Sequence, residues 1–285
     1  MVCDTVGHMV APRELSTDQI LEIIQQVADE VIRPRFRSLT SDEIAEKGPG
    51  DLVTVADRES ELQLTAILSR AYPDALIIGE EATAANPGLP PHLLGAEHGF
   101  TIDPVDGTKN FVNGKEDYAV MIGEVRHGRT VRAWIWQPEY ATAYVAVRGE
   151  GVTRNGEQIT RAQPTADPAG WRGHSARVVI RDRAADAALP QITTSALCCG
   201  VDYPKLVTGQ SDFLVYGRPR PWDHVPGMLM VEEIGGTALL TDGSAYVPGV
   251  DGFGMVVGAT EPLATSVRTA LGGRLGTRPT PVQAE

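Results

Sequence analysis

The stretch Phe100-Thr101-Ile102-Asp103-Pro104-Val105-Asp106-Gly107-Thr108-Lys109-Asn110-Phe111 runs from a short apolar strand signal into two acids, a glycine and a threonine. Pro104 and Val105 form a rigid turn that can aim both carboxylates at one point. Gly107 lets the backbone pass close to a bound group, and Thr108 adds a hydroxyl. A plain surface turn is the competing reading, but such a turn calls for neither two acids nor a threonine.

Working outward, residues 75–78 predict a strand that delivers Gly79, Glu80 and Glu81 at its end, and residues 83–98, rich in Pro, Gly and Ala, predict a surface loop. Residues 118–125 and 130–136 flank His127-Gly128-Arg129 as a hairpin, and 141–147 extends that sheet. Ser16, Thr17 and Asp18 offer caps for a helix carrying Ile20, Ile23, Ile24, Val27 and Val31 and stopping near Pro34. A second helix spans about 57–72, ended by Pro73. Past Gly149, strands at 178–180, 237–240 and 255–257 alternate with helices at 226–234 and 262–271, and the tail after Gly276 reads as frayed. Strands and hairpins first, α/β second, divide the chain into subdomains 1–150 and 151–285.

Composition narrows the function. With 285 residues, 42% of them hydrophobic, the chain can bury a large core. A net charge of -12 argues against sequence-independent nucleic-acid binding, and Arg33, Arg35 and Arg37 read as the polar end of a helix. Cys3, Cys198 and Cys199 make no disulfide framework, which fits a reducing cytoplasm. Residues 1–13 place Asp4 and His8 where a signal peptide needs a basic start and an apolar core, and no run of about 18 apolar residues occurs. The expectation is a cytoplasmic protein with neither nucleic acid nor membrane as partner.

Asp57, Glu80, Glu81, Asp103, Asp106 and Asp223 all fall at predicted element ends, where loops can present them to one cleft. Crowded carboxylates suppress one another's ionisation unless cations sit among them. All-oxygen ligands suit a hard cation, Mg²⁺ first, with Mn²⁺ or Ca²⁺ as competitors. Taken singly, each position has a plainer reading. Glu80-Glu81 fits a solvated loop, Asp223 an N-cap for a helix starting near Pro226, and Asp57 a cap or a solvent-facing acid.

Four blocks together resemble the signature of the inositol monophosphatase family: Gly50-Asp51-Leu52-Val53-Thr54-Val55-Ala56-Asp57; Ile78-Gly79-Glu80-Glu81; the Ile102–Phe111 stretch; and Pro221-Trp222-Asp223-His224 with Glu233-Ile234-Gly235-Gly236. They occur in the family's order across roughly residues 15–272. The resemblance implies a mixed α and β fold, a layered α-β-α-β-α sandwich of the inositol monophosphatase and sugar phosphatase type, and usually a homodimer. It implies Mg²⁺-dependent hydrolysis of a small phosphate monoester by metal-activated water. Glu80, Asp103 and the Val105 carbonyl would hold one Mg²⁺; Asp103, Asp106 and Asp223 a second; a third would join near Glu80 with substrate. Asp57 and Thr108 would polarise the water, and the N–H groups of Gly107 and Thr108 would receive phosphate oxygens. Glu81 would support the ligand next to it, and Lys47 belongs to a mobile loop over the third metal.

The chain departs from the pattern in the substrate pocket. Seven positions before Asp223, where inositol-preferring members carry an acid, stands Tyr216, readable as a stacking surface for a flat ring or as core packing. The usual Gly/Ser-Ala-Ala stretch appears as Cys198-Cys199-Gly200, with Cys199 lining the pocket and neither thiol a nucleophile. His224 reads as a helix-start residue beside the site, and Trp134, Trp136 and Trp171 as packing. Candidate substrates are inositol phosphates, histidinol phosphate, sugar bisphosphates and 3′-phosphoadenosine 5′-phosphate. The alternative is a non-catalytic member that binds a phosphate ligand or a protein, against which stands the retention of all six acids and Thr108.

Overall fold

Side-chain alternation in the strands sets the layers. Along Ala119–Arg126, Ala119, Met121 and Val125 enter one core while Val120 and Ile122 enter another. The computed structural model describes residues 14–184 and 189–275, so Cys3, the 1–13 segment and the tail after Gly276 lie outside the described residues.

The strand Ala119–Arg126 belongs to a seven-stranded sheet ordered Leu76–Gly79, His98–Asp106, Ala119–Arg126, Arg129–Gln137, Thr142–Val147, Gly151–Arg154, Glu157–Gln158. Only the first pair is parallel. The hairpin turns at His127 and Gly128, both at positive φ (49° and 73°), as a tight two-residue turn with right-handed twist requires. A five-stranded sheet runs Ile192–Thr194, Gly173–Ser175, Phe213–Tyr216, Met255–Gly258, Thr237–Leu240.

Helices Thr17–Val27 and Val55–Ala71 cover the outer face of the larger sheet with Ile20, Ile24, Leu64 and Leu68. Ser16 caps the first through a reciprocal capping box with Gln19. Helices Cys199–Val207 and Pro221–Glu233 lie between the sheets, where Met121 and Ile135 on one side and Leu214 and Val257 on the other share one core. Phe213, Val215 and Val256 face outward against the Glu261–Leu271 helix. The expected α-β-α-β-α layering is the observed one.

Three local readings need correction. Residues 178–180 are not a strand: Val178–Ala184 is a helix. A short apolar run has no decisive period, and here Ile180 is fully buried while Val178 is 58% exposed, a one-sided helical burial. The 83–98 stretch is not all surface loop, since it contains the end of helix Glu80–Ala85 and a 3₁₀ segment, Pro90–Gly95, that buries Leu93. The helix expected from Pro226 starts at Pro221, where a proline is tolerated in the first turn.

Gly227 is where the two inner helices touch: a Cβ there would sit 2.2 Å from the Tyr203 ring. Gly227→Ala should therefore destabilise the protein by about 1–3 kcal/mol through overpacking. A urea unfolding midpoint equal to that of the unsubstituted protein would contradict this packing.

Candidate active site and metal centre

Asp103 and Asp106 are three residues apart on one strand, a spacing that ordinarily puts side chains on opposite faces. Here Asp103 pairs with Met121 and Asp106 with Ala119, two residues further along. The extra residue is a bulge at Pro104 and Val105, and it returns both acids to the same face. Parallel pairing of Gly79 with Ile102 then sets Glu80 beside Asp103.

The other acids arrive on helix starts. Asp57 lies in the first turn of Val55–Ala71, Glu80 opens Glu80–Ala85, and Asp223 lies in the first turn of Pro221–Glu233. Asp223 is thus inside the helix and not its N-cap. Helix N-termini offset part of the negative charge. Gly107, at φ 84°, precedes the short helix Thr108–Val112, and a Cβ on it would lie 3.0 Å from both the Asp117 carbonyl and Cys198 Cβ.

One oxygen each from Glu80, Asp103 and Asp223 lies within 4.8 Å of the others. Asp103 Oδ1 is buried without any hydrogen-bond partner, an orphaned acceptor at the centre of the group. Asp106 lies outside that triplet: its Oδ2 accepts from the Gly200 N–H at 2.5 Å and from Cys198 Sγ at 3.0 Å. Burial, then the charges of neighbouring carboxylates, push Asp103 and Asp223 well above the usual carboxylate range. Burial lifts Asp106 as well, against those two hydrogen bonds. An all-oxygen donor set with an orphaned acceptor fits a hard divalent cation.

The Thr108 hydroxyl lies 2.9 Å from Asp57 Oδ1 and 3.0 Å from the Val105 carbonyl. Asp57 Oδ2 accepts from Thr54 N–H at 2.8 Å and Thr54 Oγ1 at 2.6 Å. Burial raises Asp57 to about 7 despite those hydrogen bonds. Lys47 Nζ bridges Glu80 at 2.7 Å and Glu81 at 2.8 Å, so both supporting residues adjoin the cluster.

Cys199 Sγ lies within 4.8 Å of ligand atoms of Asp223 and His224. Burial and nearby acids push its thiol well up, leaving it neutral. His224 is no metal ligand, for Nδ1 meets Tyr203 Oη at 3.0 Å and Nε2 meets the Arg218 carbonyl at 2.9 Å. Tyr216 packs on Tyr203 (5.7 Å, 25°) and on His224 (4.6 Å), and its buried hydroxyl has no partner.

Sequence reasoning missed Glu61. Its carboxylate accepts the Glu81 and Ala82 N–H groups, each at 2.8 Å, and so holds the start of the helix that carries Glu80. A Cβ on Gly79 would fall 2.2 Å from that carboxylate. The signal was there: Glu61 is one turn beyond Asp57 in the same helix.

A protein-family model described as the inositol monophosphatase family matches residues 16–277. A fructose-1,6-bisphosphatase/inositol-1-monophosphatase of Aquifex aeolicus (strain VF5) is 25% identical over 233 residues, 78% of this chain and 84% of that one. A putative Nus factor SuhB of Neisseria meningitidis serogroup A is 30% identical over 220 residues, 73% of this chain and 78% of that one. Among solved structures, a Ca-bound IMPase family protein from Staphylococcus aureus superposes with a TM-score of 0.74 at 22% identity, over 90% of this chain and 96% of that one. At that identity the likeness speaks for the fold.

The raised carboxyl groups make stability depend on pH. Folded Asp57 holds its proton up to about 7, whereas the unfolded chain releases it near 3.8. The resulting stabilisation is complete below the unfolded value and lost as pH rises toward the folded one. The Tm of chelator-treated protein should fall from about pH 5 to about pH 8, and added Mg²⁺ should restore it most at the higher pH. A flat Tm, or equal gains at both ends, would contradict the charge crowding.

Proposed function

The chain belongs to the inositol monophosphatase family, and from that premise we propose that it hydrolyses a small phosphate monoester with Mg²⁺ held by Glu80, Asp103, Asp106, Asp223 and the Val105 carbonyl. The observation that carries this reading is the convergence of Glu80, Asp103 and Asp223 around a buried, orphaned Asp103 oxygen. Bound there, Mg²⁺ would supply Lewis acidity and a lowered water pKa, with Mn²⁺ an alternative.

The chain's own residues would handle the proton. The Thr108 hydroxyl would pass its proton to Asp57 Oδ1 as it takes one from water, whose oxygen attacks phosphorus while the bond to the ester oxygen breaks. The leaving oxygen takes a proton from solvent water and departs as the alcohol, leaving inorganic phosphate. Asp57 suits the acceptor role because Thr54 occupies Oδ2 and leaves Oδ1 to Thr108. The first N–H groups of a helix lack intrahelical partners, so Gly107 and Thr108 can donate to phosphate oxygens. Glu81, Lys47 and Glu61 would hold Glu80 in place.

On substrate, Tyr216 offers a buried hydroxyl where a carboxylate would pair with vicinal hydroxyls, which disfavours inositol 1-phosphate. Beside it, Cys199 contributes a small neutral wall. A cytoplasmic home is proposed on the free thiols of Cys198 and Cys199, and a homodimer on the family resemblance. Among the described residues, no helix is long and apolar enough to cross a membrane.

Phosphate release from a panel of monoesters, with Mg²⁺ and with excess chelator, tests the reading; equal rates in chelator would sink it. Asp106→Asn should lower activity by orders of magnitude with the fold intact, because one ligand carries both charge and geometry. Thr108→Ala should lower kcat by about 10²–10⁴-fold with little change in Mg²⁺ affinity, and wild-type turnover at saturating Mg²⁺ would refute the relay. Tyr216→Glu should shift kcat/KM ratios toward inositol 1-phosphate, and an unaltered ratio would remove Tyr216 as a specificity residue.

A further inference from the structure

Among the described residues, five that are not glycine carry a positive φ: Arg37, His127, Ala141, Asn155 and Leu197. That backbone region crowds Cβ against the neighbouring carbonyl, and a bulky side chain suits it poorly. His127 and Asn155 each precede a positive-φ glycine in a tight hairpin turn, and Ala141 closes the turn at Pro138–Tyr140. Arg37 is held by the Gly114 carbonyl at 3.0 Å and by Glu116 at 3.2 Å. Leu197, at φ 59°, lies in no hairpin but between strand Ile192–Thr194 and helix Cys199–Val207, and it remains 42% exposed. Neither hairpin twist nor burial accounts for a leucine there, since glycine or asparagine would hold the same backbone with less strain.

The chain on either side is pinned beside the carboxylate cluster. The Ala196 carbonyl accepts the Asn110 side-chain amide at 2.8 Å, and the Ala196 N–H donates to Asp202 at 2.8 Å. Cys198 Sγ donates to Asp106 Oδ2 at 3.0 Å, and a Cβ on Gly107 would lie 3.0 Å from Cys198 Cβ. The Leu197 N–H itself donates to Ser195 Oγ at 3.1 Å. Leu197 is thus fixed between one residue bonded to Asn110 and another packed on Gly107. Strain that survives because its surroundings over-determine it clusters at ligand sites. A leucine offers nothing to a cation or a phosphate oxygen, but it offers apolar contact to the alcohol part of an ester. Two residues on, burial and nearby acids keep the Cys199 thiol neutral, so it brings no charge against such contact.

We propose that Leu197 is a specificity-determining residue, an apolar lip beside the Gly107–Thr108 segment that selects phosphate esters whose alcohol presents an apolar face next to the ester oxygen. The proposal rests on the reading of the carboxylate cluster as the hydrolytic site. Replacing Leu197 then relieves strain and weakens selection together. A leucine kept for packing would behave otherwise, because its loss destabilises the fold.

Two variants and two esters test it. Leu197→Asn tolerates the left-handed backbone and removes the apolar surface, while Leu197→Gly separates that loss from any contact the new amide makes. Cyclohexyl phosphate and myo-inositol 1-phosphate share a six-membered ring, bare in one and hydroxylated in the other. In both variants the ratio of kcat/KM for cyclohexyl phosphate to that for myo-inositol 1-phosphate should fall about five- to thirtyfold below the wild-type ratio, the worth of one apolar side chain. The urea midpoint of Leu197→Asn should rise. An unchanged ratio would overturn the lip, and so would a midpoint that falls in both variants. Release from other monoesters but none from cyclohexyl phosphate would also overturn it and leave the hydrolytic reading standing. No release from any monoester in Mg²⁺ would overturn the hydrolytic reading and the lip with it.

Discussion

Repulsion among carboxylates is the constraint on which this structure depends. Oxygens of Glu80, Asp103 and Asp223 lie within 4.8 Å of one another, with Asp103 and nearby Asp57 almost wholly buried. Two unit charges at that distance repel by at least about 3 kcal/mol even at an effective dielectric of about 20. An exposed ion pair returns about 0–1 kcal/mol, too little to offset even one such contact. Such a cluster persists only if covalent geometry and rigid packing hold it and if cations or protons neutralise it.

The scaffold supplies the first condition. A bulge turns Asp103 and Asp106 to one face, and parallel pairing brings Glu80 alongside. Helices between the two sheets carry Asp223, with Gly227 allowing their close contact. Partial relief comes from helix starts and from Lys47 and Arg220 at the margins. Those margins leave the buried Asp103 oxygen unpartnered. The remaining deficit is the physical case for divalent cations, and only with cations bound would the centre attract phosphate to a protein of net charge -12.

The sequence was most legible where chemistry forced a residue type. The Asp103–Thr108 run, the Glu80-Glu81 pair and the Ser16 cap each had a local reason to be there, and the layering followed from the family resemblance. Val178–Ala184 was illegible as a helix because three β-branched residues in a row fit either state until Ile180 found its core. Glu61 was passed over because, although it lies one turn beyond Asp57, its role depends on the Glu81 and Ala82 N–H groups that another segment brings to it. At Pro104 and Val105 the sequence predicted a rigid turn aiming both acids at one point; that it is a bulge within a continuous strand was not legible, since register belongs to the pairing with Ala119–Arg126 and not to the strand.

On this reading of the cluster, protons and divalent cations would compete for one buried set of carboxylates. Titrating Mg²⁺ into chelator-treated protein while measuring proton release tests this directly. Saturable binding should release protons near pH 6, a release that shrinks above about pH 8 and is lost with binding in Asp103→Asn. Saturable binding with no proton release at any pH, or binding that survives Asp103→Asn unchanged, would contradict it.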